Sequence, residues 1–429
     1  MVESAKGVRD FAPEDKILRD EIINQLKDIF ETYGYSPLET PSIERLDTLT
    51  AKFAAGEGTD TTNEIFKLKD QGERLLGLRF DLTVPLSRFI AMNPNLKMPF
   101  KRYEIGRVFR DGPIKLGRYR EFWQCDVDIV GVSSVKAEAE LMLLVLDAYK
   151  KLNLDAYVEI NNRKLLYGIL DACNIAEDKR ESIIISIDKL GKYGEQTVKK
   201  ELLEKNIPYE SVDRLLEIFG MRGDNDSTLN HLKTIIKSEY GLEGLKEMGE
   251  LLSYLKFIES GKIIFNHSLA RGLNYYTGTV FEGFLKESKI TSSICGGGRY
   301  DNMIGMFAEN NRQYPAVGIA FGLEPIIDSL KDKALKKTVT ELYIIPIKTF
   351  NESLVIATKL REAGIDVDID LMDRGISKNL DYANMMKIPF VAFIGEQELK
   401  EQKIKLKNMH SGAERLITLD EAYNEIKNS

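Results

Sequence analysis

Histidine and cysteine each occur only three times in 429 residues. Cys125, Cys173 and Cys295 lie far apart and form no C-x-x-C pair, which argues against a disulfide framework or a zinc knuckle. His231, His267 and His410 are equally scattered, so neither a histidine-based metal site nor a Ser-His-Asp triad finds its parts close together. No run approaches the roughly 20 apolar residues that span a membrane. The opening MVESAKGVRDFAPEDK has mixed charge and no apolar core of a secretory signal, so a cytoplasmic protein with no membrane partner is expected. The P-loop pattern G-x-x-x-x-G-K-S/T is missing, and no glycine run opens a βαβ dinucleotide unit. A basic excess is missing too: 60 Lys and Arg stand against 67 Asp and Glu, a net charge of −7. That argues only weakly against nucleic acid, because phosphate contacts need a local basic patch and not a basic protein. Chemistry in this chain is left to Arg, Asp, Glu, Gln and Tyr.

What is present is ordinary globular composition, 43% hydrophobic and 30% charged, in a length that implies two or three domains. Residues 14–33 carry Ile17, Leu18, Ile22, Ile23, Leu26, Ile29 and Phe30 at helical spacing, with Gly34 as a C-cap. Two stretches alternate as strands do. In LGLRFDLT, Leu78, Phe80 and Leu82 face one way and Arg79, Asp81 and Thr83 the other. In EFWQCDVDIVG, Trp123, Cys125, Val127 and Ile129 oppose Gln124, Asp126 and Asp128. Either polar face alone reads first as a solvated surface; two such strands together offer instead the floor of a polar pocket. Between them, FKRYEIGRVFRDGPIKLGRYREFWQ reads as a long hairpin. It interleaves Arg107, Arg110, Lys115, Arg118 and Arg120 with Phe109, Tyr119 and Phe122, a mixture suited to phosphate clamping and base stacking.

Residues 163–262 are helical in pattern and carry no catalytic constellation. Strand signals return in LARGLNYYTGTVFEGF, SSICGGGRYDNMIGMF and PAVGIAFGLEPIIDSL, with more glycine than ordinary strands use. Such glycines let a ligand or another backbone approach closely. Residues 331–340, KDKALKKTVT, lack apolar periodicity and read as a linker. The tail then alternates strand and helix, as a small α/β domain does, and ends on RLITLDEAYNEIKN, read as one helix.

Together, FRDGPIKLGRYREFWQCDVDIVG, RGLNYYTGTVFE, CGGGRYD and PAVGIAFGLEP resemble the histidyl-tRNA synthetases, a family of class II aminoacyl-tRNA synthetases. The tail DLMDRGISKNLDYANMMKIPFVAFIGEQEL resembles that family's anticodon-binding domain. The resemblance implies an α+β catalytic domain over 1–330, built on the class II antiparallel sheet flanked by helices and including the helical insertion at 163–262. A linker at 331–340 and a small α/β anticodon-binding domain at 341–429 follow. It implies a homodimer that joins histidine to ATP, with Mg²⁺, as histidyl-adenylate, releases pyrophosphate, and passes histidine to the 3′-terminal adenosine of tRNA(His). Arg110 and Arg271 match the catalytic arginines at the α-phosphate. Arg118 and Glu324 match ATP-binding positions, and Phe122 matches the aromatic that stacks on adenine. Asp81, Thr83 and Gln124 match positions at the α-amino group; Asp128 and Tyr276, with Tyr275 beside them, match those that read the imidazole.

Two residues depart from the pattern. The third motif ends Glu324-Pro325 where the family has Glu-Arg, and Asn274 stands where it usually has Asp. Proline is tolerated in a helix's first turn, but a phosphate-gripping guanidinium is gone. The alternative is a catalytically inactive paralogue, such as the regulatory subunit of ATP phosphoribosyltransferase, which typically lacks the tail this chain keeps.

Overall fold

The computed structural model describes residues 2–51, 63–114, 119–271, 275–308, 313–330 and 336–428. Two compact units form, one of Met1–Arg9 with Ile22–Leu330, the other of Asp10–Glu21 with Lys331–Ser429. The opening helix spans Pro13–Thr32. Ile22, Leu26 and Phe30 along it are buried, and Gly34 just beyond takes φ +76°, a left-handed conformation that costs glycine nothing.

Eleven strands belong to the first unit among the described residues: β1 (Ser36–Pro37), β2 (Ile43–Arg45), β3 (Lys67–Lys69), β4 (Leu75–Leu78), β5 (Phe100–Phe109), β6 (Glu121–Val130), β7 (Ala156–Asn162), β8 (Ile263–Phe265), β9 (Thr279–Leu285), β10 (Cys295–Arg299) and β11 (Ala316–Gly322). Eight make one sheet in the order β1-β5-β6-β11-β10-β9-β7-β8, and β2-β4-β3 make a small second one. The large sheet is antiparallel except for its outermost pairs, β1 with β5 and β7 with β8. Its organising element is the predicted hairpin: β5 and β6 pair from Phe100 opposite Val130 to Phe109 opposite Glu121. Cys125, Val127 and Ile129 of β6 are buried on one face, as alternation requires. Asp126 and Asp128 are buried on the other, which removes the solvated reading of that face. All the described elements between β7 and β8 are helices; in Tyr209–Gly220, Val212, Leu215, Leu216 and Phe219 form the buried stripe.

LGLRFDLT is not one strand. β4 stops at Leu78 and Thr83 opens the helix Thr83–Met92. Phe80, Asp81 and Leu82 are all buried in the connecting turn, so alternation does not describe them. The cause is local: Asp81 Oδ1 accepts the Val84 amide at 3.0 Å, and Pro85 sits in the first turn, where its missing N–H costs nothing. Asp81 and Thr83 therefore stand at a helix start and not on a strand face. Pro325 is accommodated in the same way, in the first turn of the helix Leu323–Leu330.

The second unit carries β12 (Leu342–Pro346), β13 (Val367–Ile369), β14 (Phe390–Ile394), β15 (Ile404–Asn408) and β16 (Glu414–Ile417) in the order β13-β12-β14-β15-β16. The first three are parallel and the last two antiparallel additions. RLITLDEAYNEIKN divides into the end of β16 and the helix Leu419–Lys427. Thr418 and Glu421 form a capping box at the break, a T-x-x-E signal visible in the sequence.

Candidate active site

Residues directly opposite on neighbouring strands share a face, and every second residue along a strand returns to it. The register thus places Arg102, Glu104 and Gly106 of β5 beside Asp128, Asp126 and Gln124 of β6. Those three adjoin Gly318, Ala320 and Gly322 of β11, and Gly318 and Ala320 adjoin Gly298 and Gly296 of β10. Beyond Gly296 lies Glu282 of β9. The middle of this face is a floor almost without side chains, between a charged bank on β5 and β6 and a second on β9.

The glycines are there because other side chains lie across the floor. A Cβ on Gly296 would stand 1.8 Å from Nη1 of Arg271, and one on Gly318 1.8 Å from Oδ1 of Asp128. Neither separation is possible, so both positions exclude every other residue while those side chains stay put. Arg271 Nη1 donates to the Phe281 carbonyl at 3.3 Å and lies 3.4 Å from Glu282 Oε1. Its guanidinium carbon is 5.7 Å from the Tyr276 ring centroid. The Tyr275 and Tyr276 rings are 4.6 Å apart. A Cβ on Gly298 would meet the Tyr276 ring at 2.7 Å, and Gly298 is paired with Gly318. Tyr276 and Asp128 therefore lie over adjacent floor positions.

Asp128 is held from two sides: Oδ1 accepts the Tyr300 hydroxyl at 2.5 Å, and Oδ2 is 2.9 Å from Arg102 Nη2. Burial raises its pKa, which Arg102 and Tyr300 oppose. Asp126 is pushed well up by burial despite Arg102. Burial brings Asp81 up to about 6, against the Val84 amide and the charges of Arg110 and Arg102. Gln124 Oε1 is buried with no hydrogen-bond partner. Arg110 follows β5 directly; its Nε donates to the Phe80 carbonyl at 3.1 Å, and its guanidinium carbon is 5.0 Å from the Phe122 centroid. Phe122 is an even-numbered residue of β6 and shares the face of Gln124. Glu324 Oε2 accepts the Trp123 amide at 3.2 Å, which ties the helix Leu323–Leu330 to β6. Thr83 opens the helix that Asp81 caps. Arg118, Lys115 and Asn274 lie outside the described residues.

Two charged residues went unread in the sequence. Arg102 and Glu104 are fully buried beside Asp128 and Asp126, and Arg79 donates to Glu104 Oε1 at 2.9 Å. The hairpin pattern contained a signal for the first two: once FKRYEIGRVF pairs with EFWQCDVDIV, Arg102 and Glu104 must share the carboxylate face. Among the described residues no group of three or more His, Cys, Asp or Glu side chains could hold a metal ion. No helix among them is long and apolar enough to cross a membrane. The site thus offers fixed guanidinium groups for anions, buried acceptors for a cation, and a flat floor between them.

Comparison with known proteins finds relatives over nearly the whole chain. A family model for histidyl-tRNA synthetase matches residues 7–326, and one for an anticodon binding domain matches residues 341–429. A histidine–tRNA ligase 1 of Bacillus cereus is 44% identical over 420 residues, 97% of this chain and 95% of its own. The crystal structure of histidyl-tRNA synthetase from Nostoc sp. PCC 7120 aligns with a TM-score of 0.88 at 32% identity over 99% of each chain. A Bacillus halodurans C protein described as an ATP phosphoribosyltransferase regulatory subunit/histidyl-tRNA synthetase aligns at TM-score 0.76 and 24% identity, over 92% of this chain and 98% of that one. At that identity the likeness shows the fold alone. The chain belongs to the histidyl-tRNA synthetase family.

Proposed function

We infer that the chain is a histidine–tRNA ligase: it activates histidine with ATP and transfers it to tRNA(His). The observation that carries the reading is Arg271, laid over Gly296 on the same face as Gln124 and Asp128. In the first step the carboxylate of histidine attacks the α-phosphorus of ATP. A carboxylate–phosphorus bond forms and the bond to pyrophosphate breaks. Two anions must meet, so the fixed guanidinium groups of Arg110 and Arg271 offset the charge and hold the reactants in line. The carboxylate is already ionised, and no general base is needed. Phe122 stacks on adenine, and Arg118 and Glu324 complete the ATP site. In the second step a hydroxyl of the terminal adenosine attacks the carbonyl carbon, loses its proton, and AMP leaves.

Asp81, Thr83 and Gln124 take the α-amino group, which as an ammonium has three N–H donors for buried acceptors. Asp128, with Tyr276 and Tyr275, reads the imidazole, a neutral ring with one donor and one acceptor. An apolar amino acid would leave those polar groups unpaired, at about 1–3 kcal/mol each. Mg²⁺ fits here only with phosphate oxygens completing its shell: the described residues hold no dedicated carboxylate cluster, and this ion commonly binds through one or two carboxylates plus substrate phosphates. It would supply charge neutralisation on the phosphates. The same reading makes the chain a cytoplasmic homodimer, with residues 341–429 on the anticodon.

Pro325 favours the inactive paralogue; the anticodon-domain match of the tail favours the ligase. Incubating the purified chain with tRNA(His), ATP and labelled histidine separates them. Histidine should become esterified to the tRNA, and no other amino acid should. Histidine binding without charging would favour the paralogue.

A further inference from the structure

We propose that Arg102 is a positioning residue that sets histidine affinity by joining the two halves of the amino-acid pocket. The proposal rests on the assignment of Asp81, Thr83 and Asp128 to histidine. Arg102 is wholly buried in the middle of β5. Its Nη2 donates to the Leu82 carbonyl at 3.0 Å and stands 2.9 Å from Asp128 Oδ2. Leu82 lies between Asp81 and Thr83 and immediately precedes the helix they help to start. One nitrogen thus touches the segment that takes the amino group and the carboxylate that reads the ring. Those elements are otherwise separate in sequence and belong to a turn and to β6.

The surroundings point the same way. Glu104 has a second cation, Arg79, at 2.9 Å, and its Oε1 also accepts the Thr40 amide and hydroxyl at 3.0 and 2.8 Å. Asp126 has no such support: its Oδ1 is buried without a hydrogen-bond partner, and Arg102 is the cation that stabilises its charge most. A buried ion pair is weak evidence for stability, because desolvating the charges offsets their attraction. What a fixed guanidinium does supply is direction. The Tyr300 hydroxyl donates to one oxygen of Asp128, and the Arg102 guanidinium stands as an ion pair 2.9 Å from the other, which has no hydrogen-bond partner of its own and so keeps its acceptor capacity for a ligand. A lysine keeps the charge but is a single point on a flexible stem, and does not hold one donor fixed between the Leu82 carbonyl and Asp128 as the rigid guanidinium does.

The test is Arg102→Lys, with the wild type beside it, in ATP–pyrophosphate exchange and in calorimetric titration with histidine. The Michaelis constant and Kd for histidine should rise about tenfold or more. The Michaelis constant for ATP should hold within about twofold and kcat within about threefold. A merely structural role would instead lower the active fraction, reducing kcat with both Michaelis constants unchanged, and would overturn the proposal. Should Arg102→Lys not fold, the double variant Arg102→Met/Asp126→Asn removes the cation together with the carboxylate that depends on it. It should show the same loss of histidine affinity, and an unchanged Kd would overturn the proposal. The readouts also part the two claims. A wild type that binds histidine without exchange sinks the ligase reading but leaves Arg102 to be judged by Kd. A wild type that binds no histidine sinks both.

Discussion

Replacing Arg271 with alanine should cut histidine-dependent ATP–pyrophosphate exchange about a thousandfold, while histidine binding and the melting temperature stay close to wild type. The side chain lies across the floor of the sheet, 19% exposed, held by the Phe281 carbonyl, Glu282 and the face of Tyr276. Its contacts are mainly polar and partly open to solvent, so water can take their place and little stability is at stake. Its charge, by contrast, acts on the proposed assignment where a carboxylate meets a phosphate. Removing one preorganised group that stabilises developing charge costs about 10²–10³ in rate, and a full guanidinium belongs at the upper end. Gly296→Ala provides a companion test with the arginine still present. Its Cβ would occupy the place of Nη1, 1.8 Å away, so the guanidinium must move and exchange should fall in the same direction. Exchange by Arg271→Ala within tenfold of wild type would mean that the guanidinium does not face the reacting phosphate.

Asp81→Asn should make the protein more stable and a worse binder of histidine at pH 7.5. Burial lifts the Asp81 carboxyl from 3.8 to about 6. The folded state therefore holds this proton more tightly than the unfolded chain does. Below about pH 4 the group is protonated in both states and costs nothing. As pH rises through the window from 4 to 6, the unfolded chain ionises first and folding loses stability. Above 6 the loss is complete, about 3 kcal/mol for roughly two pKa units and an upper bound in practice. Asparagine keeps an oxygen for the Val84 amide and carries no charge, so it escapes the penalty. Thermal melts from pH 4 to 8 should show the variant ahead at neutral pH and the advantage vanishing towards pH 4. Calorimetry at pH 7.5 should show weaker histidine binding, because on the proposed assignment the ammonium loses a charged acceptor. A variant less stable than wild type at pH 7.5 would contradict the buried, ionised carboxylate.

Much of this site is legible in the sequence. Alternation in EFWQCDVDIVG put Gln124, Asp126 and Asp128 on one face, and β6 does so. Excess glycine in CGGGRYD announced close approach, although only the structure shows that Arg271 and Tyr276 are what approach. LGLRFDLT misled because a two-residue period over so few residues also fits a turn into a helix. The Asp81 cap and Pro85 decide that, and both were visible. Arg102 was overlooked for another reason. Charged residues in a strand suggest a solvated edge, and burial of a guanidinium depends on neighbours that come from β6 and from the Leu82 turn. In the second unit, β15 and β16 escaped because IKLKN and ERLI are short and polar, and pairing to β14 makes them strands.

The most direct measurement is ATP–pyrophosphate exchange on the full chain with each amino acid in turn. Exchange is expected with histidine and none above background with the other amino acids, Pro325 notwithstanding. Exchange with another amino acid, or none at all from a folded chain that binds histidine, would contradict the ligase reading.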